Sequence, residues 1–137
     1  MKKKFRFILV DDDPLALKIG EQIIRQFRRH AETRTFSTVM DALDYLDLES
    51  QIAGNEHPTV LLTDLHMPCS DGFALLDRIE YRFKTIRERL HIFVVSAAAC
   101  PNEIKRVFSY NCVIGYCPKP LSIDKMARML KCIEYPL

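Results

Sequence analysis

The sequence predicts an α/β fold with a five-stranded parallel sheet, and three observations carry that expectation. Short apolar runs of strand character, Ile8 to Val10, Val60 to Thr63, Ile92 to Val95 and Val113 to Cys117, alternate with longer stretches whose apolar residues recur at three- and four-residue steps. These runs deliver polar residues at their ends: Asp11, Asp12 and Asp13 after the first, Asp64 after the second, Ser96 after the third and Lys119 after the fourth. Strands separated by helices imply right-handed crossovers, and therefore a parallel sheet with its ligand site outside the carboxyl ends of the strands.

The elements follow in order. The first strand is expected over about Phe5 to Val10, and the first helix begins at Pro14 with Asp13 as its N-cap, because proline suits the first helical turn and a short carboxylate can accept from its free N–H groups. Leu15, Ile19, Ile23 and Phe27 form the inward stripe of that helix, which leaves Arg25, Arg28 and Arg29 on a wet face. A short second strand covers Thr33 to Phe36. Thr38 and Asp41 then resemble a capping box for a helix that turns Val39, Ala42, Leu43 and Leu46 to the sheet, before a loop from Gln51 to Pro58. The third strand ends at Asp64, a turn spans Met67 to Gly72, and the next helix carries Phe73, Leu76, Ile79 and Phe83 inward. The fourth strand is His91 to Ser96. A helix from about Pro101 buries Ile104, Val107 and Phe108, and the last, from about Ser122, buries Ile123, Met126, Leu130 and Ile133.

Composition bounds the function classes. A chain of 137 residues, 48% hydrophobic and 28% charged, fits one domain with one core, residues 1–137. A net charge of +2 is too slight to argue for nucleic-acid binding, and Lys2, Lys3 and Lys4 read as a solvated terminus. No apolar run approaches membrane-spanning length and Met1 to Arg6 lacks the apolar stretch of a signal peptide, so the expected location is the cytoplasm, without membrane attachment. Cys69, Cys100, Cys112, Cys117 and Cys132, odd in number and without metal-ligand spacing, read as reduced thiols, with Cys112 and Cys117 packing in or beside a strand. His57 and His91 read as loop and strand-start residues.

The most specific segment is Thr63-Asp64-Leu65-His66-Met67-Pro68-Cys69-Ser70-Asp71-Gly72, in which Asp64 is followed by Met-Pro and then Asp-Gly. With Asp11-Asp12 before it and Ser96 and Lys119-Pro120 after it, the chain resembles the receiver domain of two-component response regulators, in a single-domain, chemotaxis-regulator-like form, from Phe5 to about Ile133. The resemblance implies the doubly wound, flavodoxin-like strand order 2-1-3-4-5, which brings Asp11, Asp12 and Asp64 together on adjacent strands with Ser96 and Lys119 nearby.

That resemblance further implies a function. Asp64 would be the phosphoacceptor, taking a phosphoryl group from a histidine kinase or histidine phosphotransfer protein, and the chain would signal to a separate output protein by a conformational switch. Mg²⁺ is the implied cofactor: Asp12 a direct ligand, Asp11 through a bound water, Asp64 a further ligand and His66 through its backbone carbonyl. A slip of one residue would give Asp13 a metal role, against which its capping role weighs. Lys119 would pair with the phosphoryl oxygens, Ser96 would donate its hydroxyl to them, and Tyr116 would be the aromatic that moves with Ser96. His66 and Ala98 would occupy the two variable positions beside the phosphoryl group. The Lys119-Pro120 bond is expected to be cis.

Two other functions are weighed. An aspartyl-phosphate phosphatase usually places a second acid two residues after its nucleophile, where this chain has His66. A phosphorylation-independent interaction module would not need all of its chemical positions intact, as they are here. The chain also departs from the family pattern in having Asn111-Cys112 before the fifth strand and an extended loop from Leu48 to Pro58, read as a surface insertion.

Overall fold

Strands covered by helices on both sides must be apolar on both faces, and here the two alternating sets of strand side chains enter two different cores. The computed structural model describes residues 5–29, 31–50, 58–67, 71–82, 90–97 and 100–134. Its strands are β1 (Arg6–Val10), β2 (Glu32–Phe36), β3 (Thr59–Thr63), β4 (Leu90–Ser96) and β5 (Val113–Pro118), all parallel, in the order β2-β1-β3-β4-β5. The helices among the described residues are α1 (Pro14–Phe27), α2 (Val39–Ser50), α3 (Gly72–Arg82), α4 (Pro101–Val107) and α5 (Ile123–Glu134). Ile8, Val10, Leu61, Ile92 and Val94 pack with α2, α3 and Val107 of α4. Phe7, Leu9, Val60, Leu62, Phe93 and Val95 pack with α1 and α5. The expected strand order and parallel pairing are both present.

Capping fixes where the helices start. Asp13 accepts from the Leu15 N–H at 3.0 Å with Pro14 at the first position of α1, as its sequence predicts. Thr38 Oγ1 accepts from the Asp41 N–H at 3.1 Å before α2, and Asp71 Oδ1 from Ala74 at 3.0 Å at the start of α3. No helix among the described residues is long and apolar enough to cross a membrane.

Several inward assignments are corrected. Leu15 and Ile19 are 63% and 43% exposed, and the buried residues of α1 are Gly20, Ile23 and Ile24. Leu15 and Ile19 border a cavity on one side of the helix, whereas Leu17 packs on the core and Gly20 sits so close that a Cβ there would lie 2.8 Å from Leu9 Cδ1. Arg28 is not on a wet face: its guanidinium lies 5.5 Å from the centre of the Phe5 ring. Phe108 is 53% exposed because α4 ends at Val107, which takes the buried place. Ile123, the first residue of α5, is 46% exposed, whereas Met129 joins Met126 and Leu130 inside. Leu48 to Ser50 form the last turn of α2 rather than loop. Phe83, His57, the loop 51–57, Pro68, Cys69, Ser70, Ala98 and Ala99 lie outside the described residues.

Candidate functional site

The ladder of backbone hydrogen bonds runs one residue beyond the strands, which gives the polar residues there the positional precision of the sheet. Asp11 N–H donates to Phe36 O at 3.1 Å, Asp64 N–H to Val10 O at 3.0 Å and Lys119 N–H to Ser96 O at 3.0 Å. Because β1 lies beside both β2 and β3, Asp11 and Asp64 emerge side by side. Asp11 and Asp64 are both buried, Asp12 is exposed, and an oxygen from each of the three carboxylates falls within 4.8 Å of the others.

A single cation answers this cluster among the described residues. Lys119 Nζ donates to Asp11 Oδ2 at 2.6 Å and to Asp64 Oδ2 at 3.1 Å. Burial works against its charge, yet the hydrogen bonds and negative charge of Asp11 and Asp64 outweigh that and hold the ammonium pKa above its ordinary value. The remaining carboxylate oxygens are also held: Asp11 Oδ1 accepts from Asp13 N–H at 3.0 Å and Asp64 Oδ1 from Leu65 N–H at 2.7 Å. Asp13 thus meets the site only through its backbone, and its carboxylate caps α1. Three carboxylates against one ammonium leave an excess of negative charge, and a donor set made wholly of hard oxygens suits a divalent cation such as Mg²⁺.

Glycine is required at position 72 by close approach. A Cβ there would lie 2.3 Å from the Asp64 carbonyl oxygen and 3.0 Å from Leu65 Cα, both main chain, while Gly72 N–H donates to Leu65 O at 2.9 Å. The start of α3 is therefore packed directly against the backbone of Asp64.

Ser96, at the end of β4, is fully buried, and its hydroxyl has no hydrogen-bond partner among the described residues. An orphaned buried hydroxyl is costly and needs a group to accept from or donate to it. Its carbonyl accepts twice, from Lys119 N–H and from the Tyr116 hydroxyl at 3.2 Å. Tyr116 is half-buried against the core on the α2–α4 side of the sheet. The Lys119-Pro120 bond is cis, as expected. His66 directs its imidazole across to α4, where Nε2 lies 3.4 Å from Glu103 Oε2. Glu103 also accepts from Cys100 N–H at 3.0 Å, and that backbone bond is the main cause of a carboxyl pKa below the usual value.

Beside these groups a cavity of about 220 Å³ opens between α1 and the loop after β5. Asp11, Asp64 and Lys119 form its polar end, while Leu15, Ile19 and Leu121 form apolar wall. Sequence reasoning missed that rim, and it missed Glu103 and Lys125, whose ammonium reaches the loop carrying Lys119. A signal for Lys125 was present: Ser122-Ile123-Asp124-Lys125 has the form of a capping box with a lysine in place of the usual acid.

Residues 7–131 match the family described as the response regulator receiver domain. Among curated proteins, the chain is 30% identical to the probable methanogenesis regulatory protein FilR2 of Methanothrix harundinacea (strain 6Ac), with 93% of this chain and 86% of that protein covered. It is 24% identical to the probable C4-dicarboxylate response regulator DctR of Priestia megaterium, over 95% of this chain but 52% of that protein, so it spans about half of that relative's length. Among solved structures, a two component response regulator from Cytophaga hutchinsonii shares the fold with a TM-score of 0.85 at 22% identity, covering 97% of this chain and 98% of that one.

Proposed function

The chain belongs to the response regulator receiver domain family, and on that footing we propose that residues 1–137 act as one receiver domain that accepts a phosphoryl group on Asp64 and signals to a separate output protein. The donor is a phosphohistidine on a histidine kinase or a histidine phosphotransfer protein. The observation that carries this reading is the pairing of buried Asp64 with Asp11 through the ammonium of Lys119, with a buried Ser96 hydroxyl that has no partner among the described residues at the end of β4.

Each group has a task in the transfer. A carboxylate oxygen of Asp64 attacks phosphorus in line, the P–N bond to the donor imidazole breaks, and an acyl phosphate remains on Asp64. Lys119, already shared between two carboxylates, exchanges part of that pairing for the new phosphoryl oxygens, and Ser96 donates its free hydroxyl to them. Asp12, Asp64 and the His66 carbonyl would hold Mg²⁺ with Asp11 acting through water, and the ion would neutralise charge on the phosphoryl oxygens. As Ser96 is drawn toward the phosphoryl group, its shared carbonyl carries the change to Tyr116, the switch aromatic. The exposed apolar rim of Leu15 and Ile19 lies at the mouth of the same cavity, where a helix bearing the donor histidine must rest to reach Asp64.

On this reading the chain is a cytoplasmic signalling domain, with no activity beyond its own phosphorylation and dephosphorylation and no direct contact with nucleic acid or membrane. Intact-mass spectrometry after incubation with a small phosphodonor and Mg²⁺ tests it. One phosphoryl adduct is expected, absent in Asp64→Asn and absent when Mg²⁺ is chelated. A wild-type chain that takes no adduct would favour the phosphorylation-independent interaction module instead.

A further inference from the structure

A lysine in the first turn of a helix opposes the helix dipole, which favours acids there, so its presence asks for a compensating interaction. Lys125 stands three residues after Ser122, whose hydroxyl accepts its N–H at 3.2 Å, the backbone half of a capping box. In the usual box an acid at this position reaches back to the N-cap N–H. Here a cation stands there instead, and the turn before the helix, with Pro118 and Pro120, offers carbonyls as acceptors. The Lys125 ammonium donates to both, at 2.7 Å to Pro118 O and 2.8 Å to Pro120 O.

These are the two carbonyls that flank Lys119 in the chain. Lys119 N–H is tied on its other side to Ser96 O, and its ammonium reaches Asp11 and Asp64. An unbroken path therefore runs from the Ser122 cap through Lys125 to the main chain of Lys119 and on to the reacting carboxylate. We infer that Lys125 is a positioning residue for phosphoryl transfer: its ammonium fixes the backbone from which Lys119 reaches the phosphoryl group. Bonds from an ammonium are stronger than those between neutral groups, and two from one donor restrain both ends of the short segment. The inference rests on the phosphoacceptor reading of Asp64 and the role of Lys119 within it.

Lys125→Met keeps the stem and removes both bonds, and Lys125→Arg keeps the charge and offers a fork that can span two acceptors. With a small phosphodonor and Mg²⁺, the Met variant should gain its Asp64 adduct about tenfold more slowly than wild type, the loss expected when a reacting geometry is loosened, and the Arg variant should recover most of that rate. In a Lys119→Ala background the Lys125→Met substitution should have no further effect, because the group it positions is gone. Hydrogen exchange at the Lys119 amide should quicken in the Met variant while exchange at Asp11 is unchanged, a readout independent of phosphoryl chemistry. Equal adduct rates in wild type and Lys125→Met would overturn the inference and leave the phosphoacceptor reading standing. So would an equal slowing in the Lys119→Ala background, which would mark a general charge effect, or an Arg variant as slow as Met. A wild-type chain that never takes the adduct would instead bring down the phosphoacceptor reading, and the positioning role with it.

Discussion

The two ends of the sheet both concentrate charge, but they settle it differently. At the amino end, Arg6 pairs with Glu32 at 3.1 Å and with Glu49, and Arg34 pairs with Glu32 at 3.1 Å, so two guanidiniums face two carboxylates. At the carboxyl end, among the described residues, Asp11, Asp12 and Asp64 face Lys119 alone, and the buried Ser96 hydroxyl at the end of β4 has no partner. A charge-balanced network serves the fold. An unbalanced one keeps capacity that a bound group can use, which is why the carboxyl end is the candidate site.

The largest effect that would sharpen this contrast belongs to the amino end. Arg6→Met removes the guanidinium that Glu32 and Glu49 share, with Arg6 and Glu49 both largely buried, and should destabilise the protein by about 2 kcal/mol in a urea melt. A loss of only a few tenths would break the comparison, since the amino-end network would then contribute no more than an exposed pair. At the carboxyl end, addition should help where removal harms the other end. Mg²⁺ at ten times its dissociation constant should raise stability by about 1.4 kcal/mol in a thermal melt, and Asp64→Asn should reduce that gain. A melting temperature indifferent to millimolar Mg²⁺ would remove the basis for a metal site.

A smaller effect separates excess charge from shape. In metal-free buffer Asp12→Asn should leave the protein as stable as wild type or up to about 0.5 kcal/mol more so, because it relieves repulsion without opening a cavity. A clear destabilisation would mean that Asp12 has a structural partner. The smallest effect concerns pH. The folded-state pKa of Lys119 is raised above 10.5, so the stability it contributes is complete below that value and is lost as pH rises through the higher folded value. The stability difference between wild type and Lys119→Met should therefore shrink only above pH 10.5; a difference that shrank near neutral pH would contradict the double pairing.

Much of this arrangement was legible in the sequence because strands and their ends are local features. Apolar runs located β1, β3, β4 and β5, and Asp11, Asp12, Asp64 and Lys119, which follow three of them, lie together. What misled was helical periodicity, which reports that a stripe exists but not how far the surface beneath it extends. Leu15 and Ile19 keep perfect spacing with Ile23, yet the stripe that meets the core is the neighbouring one, Leu17, Gly20, Ile24 and Phe27, which leaves Leu15 and Ile19 at its exposed margin. Phe108 and Ile123 fail for a related reason, since each sits at a helix end where the chain turns away from the core. Glu103 and Lys125 act through pairings across loops, His66 with Glu103 and the β5–α5 turn with Lys125, and no sequence period records such contacts.

The contact between Gly72 and the backbone of Asp64 makes position 72 a mechanical adjustment screw for that carboxylate. Asp12→Asn would alter charge with little change of shape. Gly72→Ala would alter spacing alone: a methyl group that cannot fit at 2.3 Å from the Asp64 carbonyl must lever the Asp64–Leu65 peptide outward while every carboxylate and ammonium stays in the inventory. Since a displacement of about 1 Å in a reacting geometry can cost about 100-fold in rate, one uncharged methyl would measure how finely this sheet edge is machined.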